Sequence, residues 1–231
     1  VSPFSNAPLP LAPVYDLKNE LVKHLYSKSL ISPSAESESK AFVFDEEVSK
    51  IVGYYPTIVE WVFLPGMDLA QKRKFISQVT ALSSDISYWP ESWKAEQGGV
   101  WLAISKAECI EYFLHLLSQR GFQPENIGPK THDVFEVMLK NFSVAQVFNL
   151  TWQAVRDTTD YIVREGLPSY RAKNTFIGSV QRKSEKYIAE GWEVRSSRRD
   201  FDCPQSVLSS TFFDVFVGIG ARALETRLPI A

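Results

Sequence analysis

A chain of 231 residues, 45% hydrophobic and 13% aromatic, carries enough apolar mass to bury roughly 70% of its unfolded surface, which excludes an intrinsically disordered chain. Its 25 Lys and Arg against 27 Asp and Glu leave a net charge of -2, which excludes a globally basic, histone-like binder and confines any grip on an acidic ligand to a local patch. Two distant cysteines and three scattered histidines do not supply the paired ligands of a zinc finger or a disulfide framework, so a reducing cytoplasm is the expected location and no metal or other cofactor is expected. No uninterrupted apolar run reaches the roughly 18 residues that a membrane span needs, and Val1–Pro13 lacks the basic and apolar regions of a signal peptide.

Pro3, Pro8, Pro10 and Pro13 make residues 1–15 an extended, polyproline-like arm, since proline at that density removes donors and fixes φ. Such an arm reads as a linker to an upstream domain, while Phe4, Leu9, Leu11 and Val14 within it favour docking of the arm on this domain or on a neighbour. Asp16–Ile31 reads as a helix, with Leu17, Leu21 and Leu25 at helical spacing. After a polar loop over Ser32–Lys40, Phe42–Phe44 reads as a strand and Asp45 as the cap of a helix to about Val52. Thr57–Leu64 is a strand or a buried helix ended by Pro65-Gly66. Asp68, with Gln71 three residues on, caps a helix to about Leu82.

Tyr88–Gly99, with Trp89-Pro90 and Gly98-Gly99, reads as a structured loop, and Val100–Ile104 as a strand. Ser105 and Glu108 then have the spacing of a capping box for a helix to Arg120, closed by Gly121. Gly128-Pro129 interrupts the pattern. From Thr131 onward the periodicity is helical: Ser143 with Gln146 forms a capping box, the helix that follows closes at Gly166, and a second long helix runs from Pro168-Ser169 to Gly191. Pro204 fits the first turn of a last helix to about Phe216. The expected fold is mainly α with a few short strands: a Pro-rich arm over 1–15, a mixed α+β region over 16–127, and an all-α region over 128–231.

Among residues that carry chemistry, Glu108, Glu111 and His115 share one helix face, a spacing that can hold a metal. No Glu-x-x-His repeat on a second helix accompanies them, and the ordinary reading is a solvated edge. His132, Asp133 and Glu136 read as a helix start, with the acids complementing the macrodipole. Arg156 and Asp160, four apart, read as an ion pair. Cys109 reads as a small core residue. Cys203, just before Pro204 at a helix start, has the position of a stabilised thiolate. No Walker loop, dinucleotide fingerprint or nucleophile elbow occurs, and no catalytic residue is assigned.

The stretch from Arg164 to Arg199 holds nine basic residues against four acidic ones, interleaved with Tyr170, Phe176, Tyr187 and Trp192. Arginine's planar fork suits carboxylates and phosphates alike. The residues expected to bind are Arg171, Lys173, Arg182, Lys183, Arg195, Arg198 and Arg199. The expectation is a non-enzymatic interaction or scaffold module that docks through this basic face and the apolar arm. Its expected partner is an acidic protein surface, with an upstream domain or a subunit of a larger assembly as further partners. A nucleic-acid-binding module using the same patch is the alternative. A metal-dependent hydrolase or nuclease, built from carboxylates such as Asp157, Asp160, Asp200 and Asp202 brought together across helices, is the third reading.

Overall fold

The computed structural model describes residues 9–45, 47, 50–56, 58–83, 85–122, 127–166 and 169–229, and for 169–174 the backbone only. The chain is mainly α-helical, and among the described residues its few short antiparallel strands lie in the first half. It divides into two compact units, Val1–Trp89 with Gln205–Thr211, and Pro90–Pro204 with Phe212–Ala231.

The first unit is built on helix α1, Tyr15–Ser27, and two antiparallel strand pairs. Strand β1, Ile31–Pro33, pairs with β4, Trp61–Phe63, while β2, Phe42–Asp45, pairs with β3, Lys50–Tyr54, in a hairpin. Val22, Ile31, Ala41, Val59 and Trp61 form the core, with Leu11, Leu25, Phe42 and Tyr54 packed on it. Tyr26, Tyr54 and Trp61 meet edge to face, with ring centroids 5.2–6.1 Å apart, the geometry that aromatic quadrupoles favour. The helix expected from Asp45 to Val52 is a correction: Asp45 ends β2 and Lys50 starts β3, because Ile51, Val52 and Tyr54 suit a paired strand better than an isolated helical turn. Helix α2, Leu69–Ser83, opens with the expected reciprocal cap, Asp68 N–H to Gln71 Oε1 at 2.9 Å and Gln71 N–H to Asp68 Oδ1 at 2.8 Å.

The part of the arm that is described lies within this unit. The carbonyls of Pro10 and Leu11 accept from Val207 and Leu208 at 2.9 Å, the opening residues of the short helix α7, Val207–Ser210. Ser206 caps α7, so this helix starts at Val207, three residues beyond Pro204, and not on it.

The second unit is a helical bundle around α3, Glu91–Ser118. The loop expected over Tyr88–Gly99 and the strand expected over Val100–Ile104 are both corrections, since one helix covers nearly all of that span. Two consecutive glycines cost a helix about 1 kcal/mol each. Burial of Trp101, Ile104, Ala107, Ile110, Tyr112, Phe113, Leu116 and Leu117 outweighs that cost. Ser105 therefore sits in mid-helix and caps nothing.

Helices α4, Pro129–Asn141, and α5, Val144–Glu165, pack on α3 and on each other, and α6, Ser169–Glu190, packs on α5 and α4. Ser143 and Gln146 form the expected capping box, and Gly166 and Gly191 adopt the left-handed conformation that ends a helix. Because α4 starts at Pro129, Asp133 and Glu136 lie beyond its first turn. Glu136 instead pairs with Lys106 at 2.9 Å and Lys140 at 3.9 Å. Residues 192–204 follow α6 as a strap without regular structure over most of its length. Its Val194 carbonyl accepts from Gln146 Nε2 at 3.1 Å, and its Ser197 N–H donates to Ala145 O at 2.9 Å.

Candidate functional site

The basic stretch divides in three. Arg171 and Lys173 lie on α6 with their side chains outside the described residues. Arg182 and Lys183, with Lys186, line a cleft of about 710 Å³ between α5 and α6, together with Asp157, Tyr161, Tyr187 and Trp192. Lys183 Nζ is held by Asp157 at 2.8 Å and Gln153 at 3.3 Å. Arg182 donates to Ser179 Oγ at 3.0 Å, and Lys186 sits 5.0 Å from the Trp192 ring centroid. Among the described residues, neither Arg182 nor Lys186 takes part in an ion pair. Tyr187 meets Trp192 edge to face at 5.2 Å, so Lys186 and the two rings form one cationic and aromatic wall.

Around the corner from this wall, Arg195 of the strap lines a smaller hollow of about 400 Å³ with Trp152, Arg156 and Glu193. Arg156 does not reach Asp160. Its guanidinium takes Asp157 at 2.7 and 3.0 Å and lies 4.8 Å from the Trp152 ring centroid. The flanking cations hold the Asp157 carboxyl below the usual range, against its partial burial. Arg198 is exposed on the strap.

Arg199 points the other way. Its Nη2 donates to Glu108 Oε1 at 2.6 Å, and the Glu108 side chain is only 3% exposed. The solvated edge expected for Glu108, Glu111 and His115 is thus overturned at Glu108: the strap covers that face of α3. Burial, and then the charge of Glu108, push the Glu111 carboxyl up to about 8, so it is largely protonated at neutral pH. Cys109 is fully buried, as a core cysteine. Cys203 is buried too, and desolvation pushes its thiol up to about 12, the opposite of a stabilised thiolate.

At the far end of the same face, His115 Nε2 lies 3.8 Å from Asp200 Oδ2. His115, Asp200 and Asp202 bring one ligand atom each to within 4.8 Å of one another, a set that could hold a metal ion. Among the described residues, no such group joins Asp157 and Asp160 to Asp200. The sequence marked His115 by its place beside two glutamates. It gave no signal that Asp200 would come to it from 85 residues away.

Among the described residues, no helix is long and apolar enough to cross a membrane. No family model matches the chain, and no solved structure matches it. An uncharacterised protein of Rickettsia conorii is 35% identical to it over 54 residues, which are 23% of this chain and 65% of that protein. The match thus spans less than two thirds of the relative's length.

Proposed function

We propose that this protein is a non-enzymatic interaction module that takes an acidic segment of a protein partner into the cleft between α5 and α6. The observation that carries the reading is the pairing of two cations that form no ion pair among the described residues, Arg182 and Lys186, with the aromatic surfaces of Tyr161, Tyr187 and Trp192. Carboxylates bring the acceptors that such cations favour, and the rings add apolar contact at low entropic cost. Asp157 on the cleft wall favours a peptide over a nucleic-acid backbone. Peptides bring N–H donors to a carboxylate, whereas phosphates bring only negative oxygens. The described part of the arm, residues 9–14, is engaged within its own unit, so the reading rests on the cleft alone.

Fluorescence anisotropy with a labelled Asp/Glu/Tyr peptide and with mixed-sequence RNA, single-stranded DNA and duplex DNA tests it, at low and near-physiological salt. The peptide should bind and weaken with salt, and Arg182→Ala/Lys186→Ala should reduce its affinity about tenfold, some 1.4 kcal/mol. Tighter binding of the oligonucleotides, lost in the same variant, would overturn the protein-partner reading in favour of nucleic acid. Binding of the peptide unchanged in the variant would remove the cleft from the reading.

A further inference from the structure

Where the strap crosses the last turns of α3, one polar atom has no hydrogen bond. His115 Nε2 is sealed from solvent without a partner in bonding range, and a buried polar group left so costs about 1–3 kcal/mol. Its nearest acceptor, Asp200 Oδ2, stands 3.8 Å away, beyond hydrogen-bond reach. Asp200 Oδ1 is occupied by the Asp202 N–H at 3.0 Å, which leaves Oδ2 facing the imidazole. Asp202 adds a second carboxylate oxygen to the group. Arg199, the neighbouring cation, is committed to Glu108. Among the described residues, no Lys or Arg forms an ion pair with Asp200 or Asp202.

Each of these facts has the same remedy. Two metal–ligand bonds of about 2.1 Å span the 3.8 Å between His115 and Asp200 at an angle near 130°, a modest opening of the tetrahedral value. The full group spans up to 4.8 Å, more than the roughly 4.2 Å that two such bonds reach, so the exposed Asp202 carboxylate has to swing inward to join the ion. One cation placed between the three side chains would satisfy the imidazole nitrogen and neutralise two like charges at once. We propose that His115, Asp200 and Asp202 bind one first-row divalent transition-metal ion, with water completing the coordination on the exposed side of Asp202. One nitrogen and two carboxylate oxygens suit Zn²⁺ or Mn²⁺ better than Ca²⁺ or Mg²⁺, which favour all-oxygen sets. The ion would fasten the turn at 200–202 to α3 and, with it, the strap that carries Arg195 and Arg198.

The test uses the full chain stripped with chelator and titrated with ZnCl₂, then MnCl₂, by isothermal calorimetry near neutral pH, with native mass spectrometry for stoichiometry. The expected result is one ion per chain, at least about tenfold weaker in Asp202→Asn and in His115→Gln. Zn²⁺ should also raise the melting temperature of the parent protein and leave that of Asp202→Asn unmoved. Asp202 is exposed, so its variant reports on binding even if His115→Gln fails to fold. No saturable uptake would overturn the proposal, and so would uptake equal in the parent protein and Asp202→Asn. Either result would leave His115 and Asp200 as neighbours with no ion between them.

Discussion

Arg199 and Glu108 form an ion pair whose carboxylate is the most deeply buried of those in pairs between described side chains, at 20% and 3% exposure. Desolvating two charges is expensive, and their attraction repays it only while the geometry is kept. Arg199→Ala would take the Arg199 counter-charge from the Glu108 carboxylate in a place that water barely reaches, beside a second carboxyl at Glu111. A loss of about 3–5 kcal/mol in unfolding free energy is expected from breaking such a pair. Replacing both members by apolar residues, as in Glu108→Leu/Arg199→Met, should restore most of it, because no charge is then left behind. Urea denaturation of the two variants checks this. If Arg199→Ala unfolds within about 1 kcal/mol of the parent protein, the carboxylate is hydrated or neutralised by another route, and the strap is not fastened by charge.

At the scale of elements, the best-defined joint is the start of α5. Ser143 Oγ accepts from Gln146 N–H at 3.4 Å, while Gln146 Oε1 accepts from Ser143 N–H at 3.0 Å and its Nε2 reaches the strap at Val194. Ser143→Ala should cost about 1 kcal/mol, the ordinary worth of a cap. Gln146→Ala should cost that and also speed amide exchange at Ser197, whose N–H bonds to Ala145 in the same turn. Equal exchange at Ser197 in both variants would show that the strap holds without Gln146. Joints of this kind were legible in the sequence, because capping chemistry is local: Asp68 with Gln71, Ser143 with Gln146, and the glycines at 166 and 191 all stand where their spacing put them. The length of α3 was not legible. Trp89-Pro90 does stand at a boundary, since Pro90 directly precedes the helix, but Gly98-Gly99 is a local breaker inside it, and what overrides the glycines is burial from Trp101 to Leu117, which depends on neighbours far along the chain. The site divides in the same way. Arg182, Lys183 and Lys186 belong to one helix and show as a basic cluster, whereas Arg199 meets Glu108 across 91 residues and Ser197 meets Asn149 across 48.

At the scale of the whole molecule, the C-terminal segment serves both units. Residues 205–211 return to the first unit, where Val207 and Leu208 bond the carbonyls of Pro10 and Leu11. Phe212 and Phe213 belong to the second unit, where their rings lie 6.4 and 5.2 Å from that of Trp101, and Phe216 lies 6.2 Å from Trp93. Trp101 is 5% exposed, so removing its two phenylalanine neighbours opens a large aromatic surface to water. Truncation of a single buried Phe typically costs about 3–5 kcal/mol, comparable with the whole stability of a small domain. A chain ended after Pro204 should therefore show a lower melting temperature, red-shifted tryptophan emission and new protease cleavage near residues 9–14. Phe213→Ala separates the two effects: it should shift the tryptophan emission while leaving residues 9–14 protected, because Val207 and Leu208 stay in place. Retention of the parent melting temperature after truncation would mean that each unit closes its core without the segment, and that its bonds to the arm add no measurable stability.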